Sequence, residues 1–391
     1  MKNKAVVLGS NYYIALSVMR DLGKFGIEVI AMEYTKDKAY ALKSKYCSGV
    51  EIVPHYKNDT DNFIKSLIEY GKKQELKPVL IPCADPYVEV IDDHIDTLKE
   101  YYLLPNMRRG QYKEAMDKDT LSELAKKYNV LIPETIQMND ENLFEKVEEI
   151  GYPCLVKPTN SHEFVKIFRR KMFKVYSREE LMNAVNTSKE KNMEVIIQQI
   201  IPGFDDHMYT YDAYMNSDSE VTHWLTCHKL RQYPINFGAS AYTEQKYVPE
   251  LHEIGAPFFK QIGFKGFAEI EFKKHAETGE FYLIEINVRY SNLNELLTKV
   301  GINMPYITYM ELTGNPLPNE HIDYDSGLVF RYTIEDVLAI KGYLQTKQLK
   351  VGPVIKSLFR KKVHAIRSWD DPKPVVAYSG LLIKKVIKKI F

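Results

Sequence analysis

In the stretch GFAEIEFKKHAETGEFYLIEINVR (266–289), Glu271, Glu285, Asn287 and Arg289 have types and spacing suited to phosphate and metal chemistry. Two apolar runs, 267–272 and 281–286, flank a polar connection containing Thr278-Gly279, which signals a β-hairpin. Pairing the runs puts Glu271 and Glu285 on one face, and Asn287 and Arg289 follow at the two-residue period of a strand. Two carboxylates held close repel unless a cation lies between them. Hard oxygen ligands beside one guanidinium suit Mg²⁺ with phosphate. A hairpin turning a charged face to water is the competing reading. Against it, Glu, Asn and Arg interrupting an apolar strand need partners, and an ion with its phosphates supplies them.

Other stretches hold cations that could meet the same phosphates. GYPCLVKPTN (151–160) reads as a short apolar strand whose Lys157, fixed by Pro158, points its ammonium from the sheet edge into a cleft. In HKLRQYPINFGAS, Lys229 and Arg231 fall on one side of an extended segment, and Gly238 signals close backbone approach. Lys118, within MDKDTLSELAKKYNV, reads by itself as a solvated helix lysine. Residues 161–176 carry Lys166, Arg169, Arg170, Lys171 and Lys174 among aromatics, and admit a solvated hairpin, a nucleic-acid patch or a phosphate-covering flap. No serine or cysteine with a nearby base suggests a nucleophile.

The elements that would position these groups follow from the hydrophobic pattern. Residues 4–8 read as a buried strand, 12–25 as a helix and 28–32 as a second strand, the β-α-β start of a parallel sheet. The first turn, GSNYYIAL, has a single glycine, which supports a dinucleotide pyrophosphate only weakly. A helix over 59–74, a strand over 78–82 and a helix over 85–99 complete a small α/β domain. A helix follows over 111–128, with Asp117 or Asp119 capping its centre. A strand over 194–199 then leads to a turn at Pro202-Gly203 and two long strands turning at 216–219. Two helices broken at Gly301 come after Arg289.

At 391 residues the chain has room for two or three domains, and its 45% hydrophobic and 27% charged content is that of a folded protein. Four separated cysteines without a C-x-x-C pair argue against a zinc knuckle or a disulfide framework and fit a reducing cytoplasm. The opening MKNKAVVLGS has too short an apolar run for a signal peptide, and no run approaches the roughly 20 residues of a membrane span. The 28 tyrosines are scattered rather than striped, so no nucleic-acid partner is expected. Net charge is +1, yet residues 341–391 carry thirteen Lys/Arg against Asp370 and Asp371, leaving the tail at +11 and the remainder at −10. Such asymmetry marks an acidic partner. LLIKKVIKKIF places Ile383, Val386, Ile387 and Ile390 on one helical face, the pattern of an interfacial anchor, a partner-binding helix or a frayed tail.

Taken in order, these pieces resemble the ATP-grasp superfamily of ATP-dependent carboxylate–amine ligases over about residues 1–315. Asp117-Lys118 is similar to the pair bearing the family's first nucleotide lysine, and GYPCLVKP to the strand bearing its second, Lys157. IIQQIIPG resembles the hinge that holds adenine, with Gln198, Gln199 and Ile201 in contact positions, and AEIEFK and IEINVR resemble the metal strands. The resemblance implies ATP and Mg²⁺. It directs Lys118, Lys157, Gln198, Gln199, Ile201 and Asp206 to the nucleotide, Glu271, Glu285 and Asn287 to the metal, and Arg289 to the reacting phosphate. Lys229 and Arg231 are the candidates for gripping the acceptor carboxylate or an oxyanion.

Two features depart from the pattern. The flap TNSHEFVKIFRRKMFK has no glycine, so that Arg169, Arg170 or Lys171 would stand in for backbone amides, and Gln199 stands where Glu is frequent. The expected fold is α/β (an α+β ATP-grasp). A small parallel-sheet domain (1–110) precedes an ATP-grasp domain (111–315; lysine-bearing over 111–200, metal-bearing over 201–315) and a basic extension (316–391).

ADPYVEVIDDH, KLRQYP and SWDDPKP are similar to a bacterial branch containing the D-aspartate ligases of peptidoglycan cross-bridges. That implies a small carboxylate such as an amino acid and an amine acceptor, with a lipid-linked cell-wall precursor as one version. A cytoplasmic place follows, with peripheral membrane contact through 381–391. Two other classes stay open: an oxidoreductase or epimerase with Glu33 meeting a ribose, and a non-catalytic membrane-associated ATP-binding protein. Biotin-dependent carboxylation is a nearer rival, but nothing here resembles a biotin-carrier segment.

Overall fold

Short apolar strands alternating with helices build the start of the chain. β1 (Ala5–Leu8), β2 (Val29–Glu33), β3 (Gly49–Ile52) and β4 (Val79–Pro82) form a parallel sheet in the order β3-β2-β1-β4. The crossovers that parallel strands require are the helices Tyr13–Gly23 and Thr60–Lys72 and the turn of helix Tyr40–Lys43. Successive side chains face two cores. Val7, Val29 and Ile81 join Leu16 and Leu297, whereas Val6, Ile30 and Leu80 join Phe63 and Leu67. With both faces covered, the inner strands are apolar except for Glu33 at the end of β2.

The computed structural model describes residues 2–106, 108–158, 161–170 and 172–390, with the backbone alone at 161–163 and 386–390. The chain divides into two units. The larger comprises Met1–Asp117, Phe204–Phe272 and Glu285–Phe391, and the smaller Lys118–Gly203 and Lys273–Ile284.

The smaller unit is built on β5 (Thr135–Gln137), β6 (Cys154–Pro158), β7 (Phe173–Val175) and β8 (Val195–Gln199), antiparallel in the order β5-β8-β6-β7. Helices Leu143–Ile150 and Arg178–Glu190 bring Val147, Leu181 and Val185 against Val156 and Ile197. Ser177 caps the second of these helices by accepting from the Glu180 amide, with Glu179 and Glu180 in the first turn. The helix predicted over 111–128 is two helices, Gln111–Met116 and Lys118–Lys127, parted at Asp117, whose backbone is extended.

The larger unit adds a second sheet to the parallel one. Its strands are β9 (Met208–Met215), β10 (Val221–Tyr233), β11 (Ala239–Gln245), β12 (Gly266–Lys274), β13 (Phe281–Asn287), β14 (Glu320–His321), β15 (Val329–Arg331) and β16 (Lys362–His364), with the last two residues of β12 and the first four of β13 counted in the smaller unit. They run in the order β13-β12-β9-β10-β11-β15-β16, with β14 on β10. The turn after β10 depends on Gly238, where a Cβ would lie 2.0 Å from the Tyr233 carbonyl carbon. The close approach expected at this glycine is therefore to the chain's own backbone.

Residues 316–391 are built into the larger unit. β15 pairs with β11 and β16 with β15, and the helix Thr333–Gln345 lays Ala339 and Tyr343 on Ala241. Asp371 is buried, takes Arg20 Nε at 3.0 Å and accepts from Ser44 Oγ and the Lys45 amide. A buried carboxylate with this many donors ties the basic tail to the first sheet.

Candidate active site

β12 and β13 are neighbours at one edge of the large sheet, and strand alternation puts Glu269 and Glu271 on the face that carries Glu285 and Asn287. Asn287 Nδ2 donates to Glu269 Oε1 at 2.9 Å, and Arg289 approaches Asn287 Oδ1 at 3.4 Å. Arg289 is held from a second direction by Asp85, whose Oδ1 lies 3.0 Å from Nε at the start of the helix Asp85–Asp93. Burial opposes the guanidinium's charge, but Asp85 and Glu269 outweigh it and keep the group more basic than an ordinary arginine.

The neighbouring strands continue the cluster. Lys229 on β10, 1% exposed, places Nζ 2.5 Å from Glu271 Oε1. Asp212 on β9 is fully buried; Thr210 Oγ1 donates to one of its oxygens at 2.8 Å, while Oδ1 makes no hydrogen bond among the described residues. Burial pushes Glu269 and Glu271 up to about 7 and Asp212 up to about 6, with acidic neighbours adding to the rise and Lys229 opposing it. Burial also works against the Lys229 ammonium, yet Glu271 and Glu269 together hold it above its ordinary value.

Arg231, expected beside Lys229, is elsewhere. β10 pairs with β11 through Lys229↔Thr243 and then Arg231↔Tyr242, a bulge that inserts Leu230 and ends the alternation. The guanidinium turns to the helix Thr333–Gln345, with Nε 2.6 Å from Asp336 Oδ1 and the charge 3.8 Å over the Tyr242 ring. It lines a separate cavity of about 440 Å³ with Tyr343, Lys356 and Arg360. Asp206, assigned to the nucleotide by resemblance, lies on the same cavity; its carboxylate meets His207 and its carbonyl accepts from His228. Glu33, the acid of the dinucleotide reading, is fully buried and accepts from the Tyr34 amide.

The remaining predicted residues belong to the smaller unit. Lys157 at the end of β6 donates to Gln198 Oε1 at 2.5 Å, and Gln198 Nε2 donates to Thr135 Oγ1. The Gln198 side chain is thus engaged in aiming Lys157. Lys118 Nζ lies 3.5 Å from the Pro158 carbonyl, so both lysines converge on the end of β6. Gln199 is tied to Glu134 through backbone and side chain, and Ile201 is 2% exposed. The flap stretch forms a helix, Ser161–Phe168, then Arg169 in a left-handed conformation and Arg170 over the Phe173 ring. Lys171 lies outside the described residues.

Glu269, Asp212 and Asp85 extend the predicted set. Glu269 was readable from the alternation A-E-I-E, and Asp212 from an acid inside the aromatic strand MYTYDAYM. Asp85 comes from a distant segment, and the fold alone brings it to Arg289.

The donor set fits a divalent cation that shares its shell with a ligand. Among the described residues no three acids, histidines or cysteines close into a metal cage. Glu271, Glu285 and the Asn287 carboxamide instead offer a few hard oxygens in a crowd of acids with raised pKa. Mg²⁺ is characteristically bound this way, through one or two carboxylates with phosphate oxygens and water completing six positions.

Residues 124–307 match the family model described as D-ala D-ala ligase C-terminus. A D-aspartate ligase of Enterococcus faecium (strain Aus0004) is 27% identical over 318 residues, covering 76% of this chain and 74% of that protein. D-alanine–D-alanine ligase B of Clostridium perfringens is 27% identical over 177 residues, covering 44% of this chain and 57% of that protein. Among solved structures, a biotin carboxylase from Campylobacter jejuni superposes with a TM-score of 0.63 at 18% identity, covering 81% of this chain and 72% of that one. N5-carboxyaminoimidazole synthetase from Staphylococcus aureus superposes with a TM-score of 0.62 at 15% identity, covering 83% and 81%. At these identities the solved structures show the fold alone.

Proposed function

We propose how this chain works, starting from what the family model, the relatives and the fold show it to be: an ATP-dependent carboxylate–amine ligase of the ATP-grasp superfamily, near the D-aspartate ligases. The carboxylate is that of an amino acid, and the amine belongs to a cell-envelope precursor, lipid-linked in the version that best suits the basic tail. Similarity to a D-aspartate ligase supports the amino acid, and the resemblance of the sequence segments supports the acceptor.

Joining a carboxylate to an amine in water is uphill, and a carboxylate oxygen is a poor leaving group. Transfer of the terminal phosphoryl group of ATP to the carboxylate gives an acyl phosphate that the amine can attack, with phosphate departing. The step brings several negative charges together, so fixed cations carry the catalysis. Lys157 and Lys118 serve the nucleotide phosphates, and Gln198 sets the direction of Lys157. Gln199 and Ile201 flank the base, and Arg169 or Arg170 serves where the usual flap glycines are missing.

Glu271, Glu285 and Asn287 hold Mg²⁺, which when bound neutralises phosphate oxygens and steadies the leaving diphosphate. Arg289, ion-paired with Asp85, presents its guanidinium to the transferring phosphoryl group. Lys229, ion-paired with Glu271 until that carboxylate turns to the metal, grips the acceptor carboxylate or the oxyanion. Arg231 is withdrawn from this role, because Asp336 already occupies it. A peripheral place at the inner face of a membrane, with contact through 381–391, completes the reading. Ile383 of that tail is exposed, while the side chains of Val386, Ile387 and Ile390 lie outside the described residues. Among the described residues no helix is long and apolar enough to cross a membrane.

The observation that carries the proposal is the face shared by Glu269, Glu271, Glu285 and Asn287, with Lys229 and Arg289 as its cations. The test is a phosphate-release screen with Mg·ATP across D- and L-amino acids and amine acceptors, including lipid-linked cell-wall precursors. Release that needs both an amino acid and an amine supports the reading. Release indifferent to every amino acid, by protein that binds Mg·ATP, counts against the proposed carboxylate.

A further inference from the structure

Exposed apolar side chains gather in one part of the larger unit. More than a third of the large apolar side chains exposed among the described residues fall between Ile334 and Trp369. The helix Thr333–Gln345 buries Asp336, Ala339 and Tyr343 and turns Ile334, Val337, Leu338 and Leu344 outward, with Lys341 in the same stripe. The helix Val351–Leu358 repeats the arrangement. Ser357 is buried, whereas Val351, Ile355 and Leu358 stand at i, i+4 and i+7 and are more than half exposed. Phe359, next in the chain, is 85% exposed. Two consecutive helices thus hold their polar or small residues inward and their apolar residues outward, and a patch of this kind marks an interaction surface.

The charges around the stripes identify what meets them. Residues 337–369 contain eight Lys/Arg and no Asp/Glu. The inward-facing cation Arg360 is matched by Glu244, as Arg231 is by Asp336. The outward-facing Lys341, Lys347, Lys350, Lys356 and Lys361 are exposed, and none has an ion-pair partner among the described residues. Dense unpaired lysine is the wrong composition for the core of a protein interface, where lysine is depleted. An apolar stripe flanked by lysines is the composition of a helix lying in the headgroup region of a bilayer.

We infer that the helices Thr333–Gln345 and Val351–Leu358 form a docking surface for a membrane rich in anionic headgroups. The apolar stripes enter the boundary between headgroups and acyl chains, and the lysines face the lipid phosphates. This surface is distinct from the terminal segment 381–391 and does not depend on the substrates assigned above.

The test is flotation of the full chain with vesicles of phosphatidylcholine alone or with phosphatidylglycerol added. Binding is expected with phosphatidylglycerol only, weakening as salt screens the lysines. The double variant I355E/F359E is expected to lower partitioning by about tenfold, with thermal unfolding and Mg·ATP turnover unchanged. As a variant that leaves the apolar stripe intact, K347E/K350E should lower it while preserving the folded spectrum. Equal flotation of either folded variant and the parent overturns the inference, as does equal binding to both vesicle types. A dimer seen by sedimentation, abolished by I355E/F359E and accompanied by no vesicle binding, assigns the surface to a second copy instead.

Discussion

The two units handle charge in opposite ways. In the larger, acids outnumber cations: Asp212, Glu269, Glu271 and Glu285 share Lys229 and Arg289, and burial has raised the pKa of Asp212, Glu269 and Glu271. In the smaller, Lys157 gives a hydrogen bond to the carboxamide of Gln198 and Lys118 reaches a peptide carbonyl. Both of these acceptors are neutral groups. A crowd of carboxylates, by contrast, needs a cation before all of its members can ionise together. On the proposed function, the lysines of the smaller unit serve phosphate and the acids of the larger unit a divalent metal.

The comparison can be broken most sharply on the acidic side. Glu285→Gln removes a charge from the metal set, and Mg·ATP turnover should fall by about 10²–10³-fold with thermal unfolding near that of the parent. Near-normal turnover would falsify the metal assignment. The lysine side should show a smaller loss. Lys157→Ala is expected to weaken ATP binding by about tenfold or more, the scale of one charge-assisted contact, and calorimetry finding unchanged affinity would remove that lysine from the site. Gln198→Leu, which leaves the charge but not its aim, should weaken binding less than Lys157→Ala does. An equal or larger loss would assign Gln198 a direct role.

Lys229 and Arg231 offer a contrast within one strand. Lys229→Met should lower turnover with substrate. Arg231→Met should cost about 3–5 kcal/mol of stability, as breaking a buried pair does, while the folded fraction keeps its turnover. Denaturant unfolding alongside kinetics separates the two, and a turnover loss confined to Arg231→Met would reverse their roles.

The smallest expected effect concerns pH. Glu269, Glu271 and Asp212 have folded values of about 7, 7 and 6 against ordinary values of 4.5, 4.5 and 3.8. Raised carboxyl values favour the folded state fully below the unfolded pKa, and that contribution is lost as pH climbs through the folded one. The metal-free protein should therefore melt progressively lower as pH rises from about 4.5 to about 7, and Mg²⁺ with ADP should flatten the decline. The same slope with and without Mg·ADP would show that the acids and the metal are unconnected.

Much of this contrast was legible in the residues. Apolar runs and their periods located the first parallel strands, the β12–β13 hairpin and the strand ending at Lys157, because burial on one or both faces leaves a mark on the sequence. The alternation E-x-N-x-R placed Glu285, Asn287 and Arg289 on one face for the same reason. What was not legible depends on register and on distant segments. The bulge at Leu230 sends Arg231 away from Lys229, and nothing in HKLRQYP announces an extra residue. Asp85 meets Arg289 across about two hundred residues. The tail read as basic and separate because charge is visible in composition, whereas the pairing of β15 and β16 and the burial of Asp371 are long-range.

Isotope transfer tests the central claim most directly. The protein is supplied with Mg·ATP, an amine acceptor and the amino acid that supports turnover, its carboxylate labelled with ¹⁸O. If the carboxylate attacks the terminal phosphorus of ATP and is then displaced by the amine, the released phosphate carries one labelled oxygen for each product formed. Unlabelled phosphate accompanying labelled product would contradict an acyl phosphate, and with it the roles given to both units.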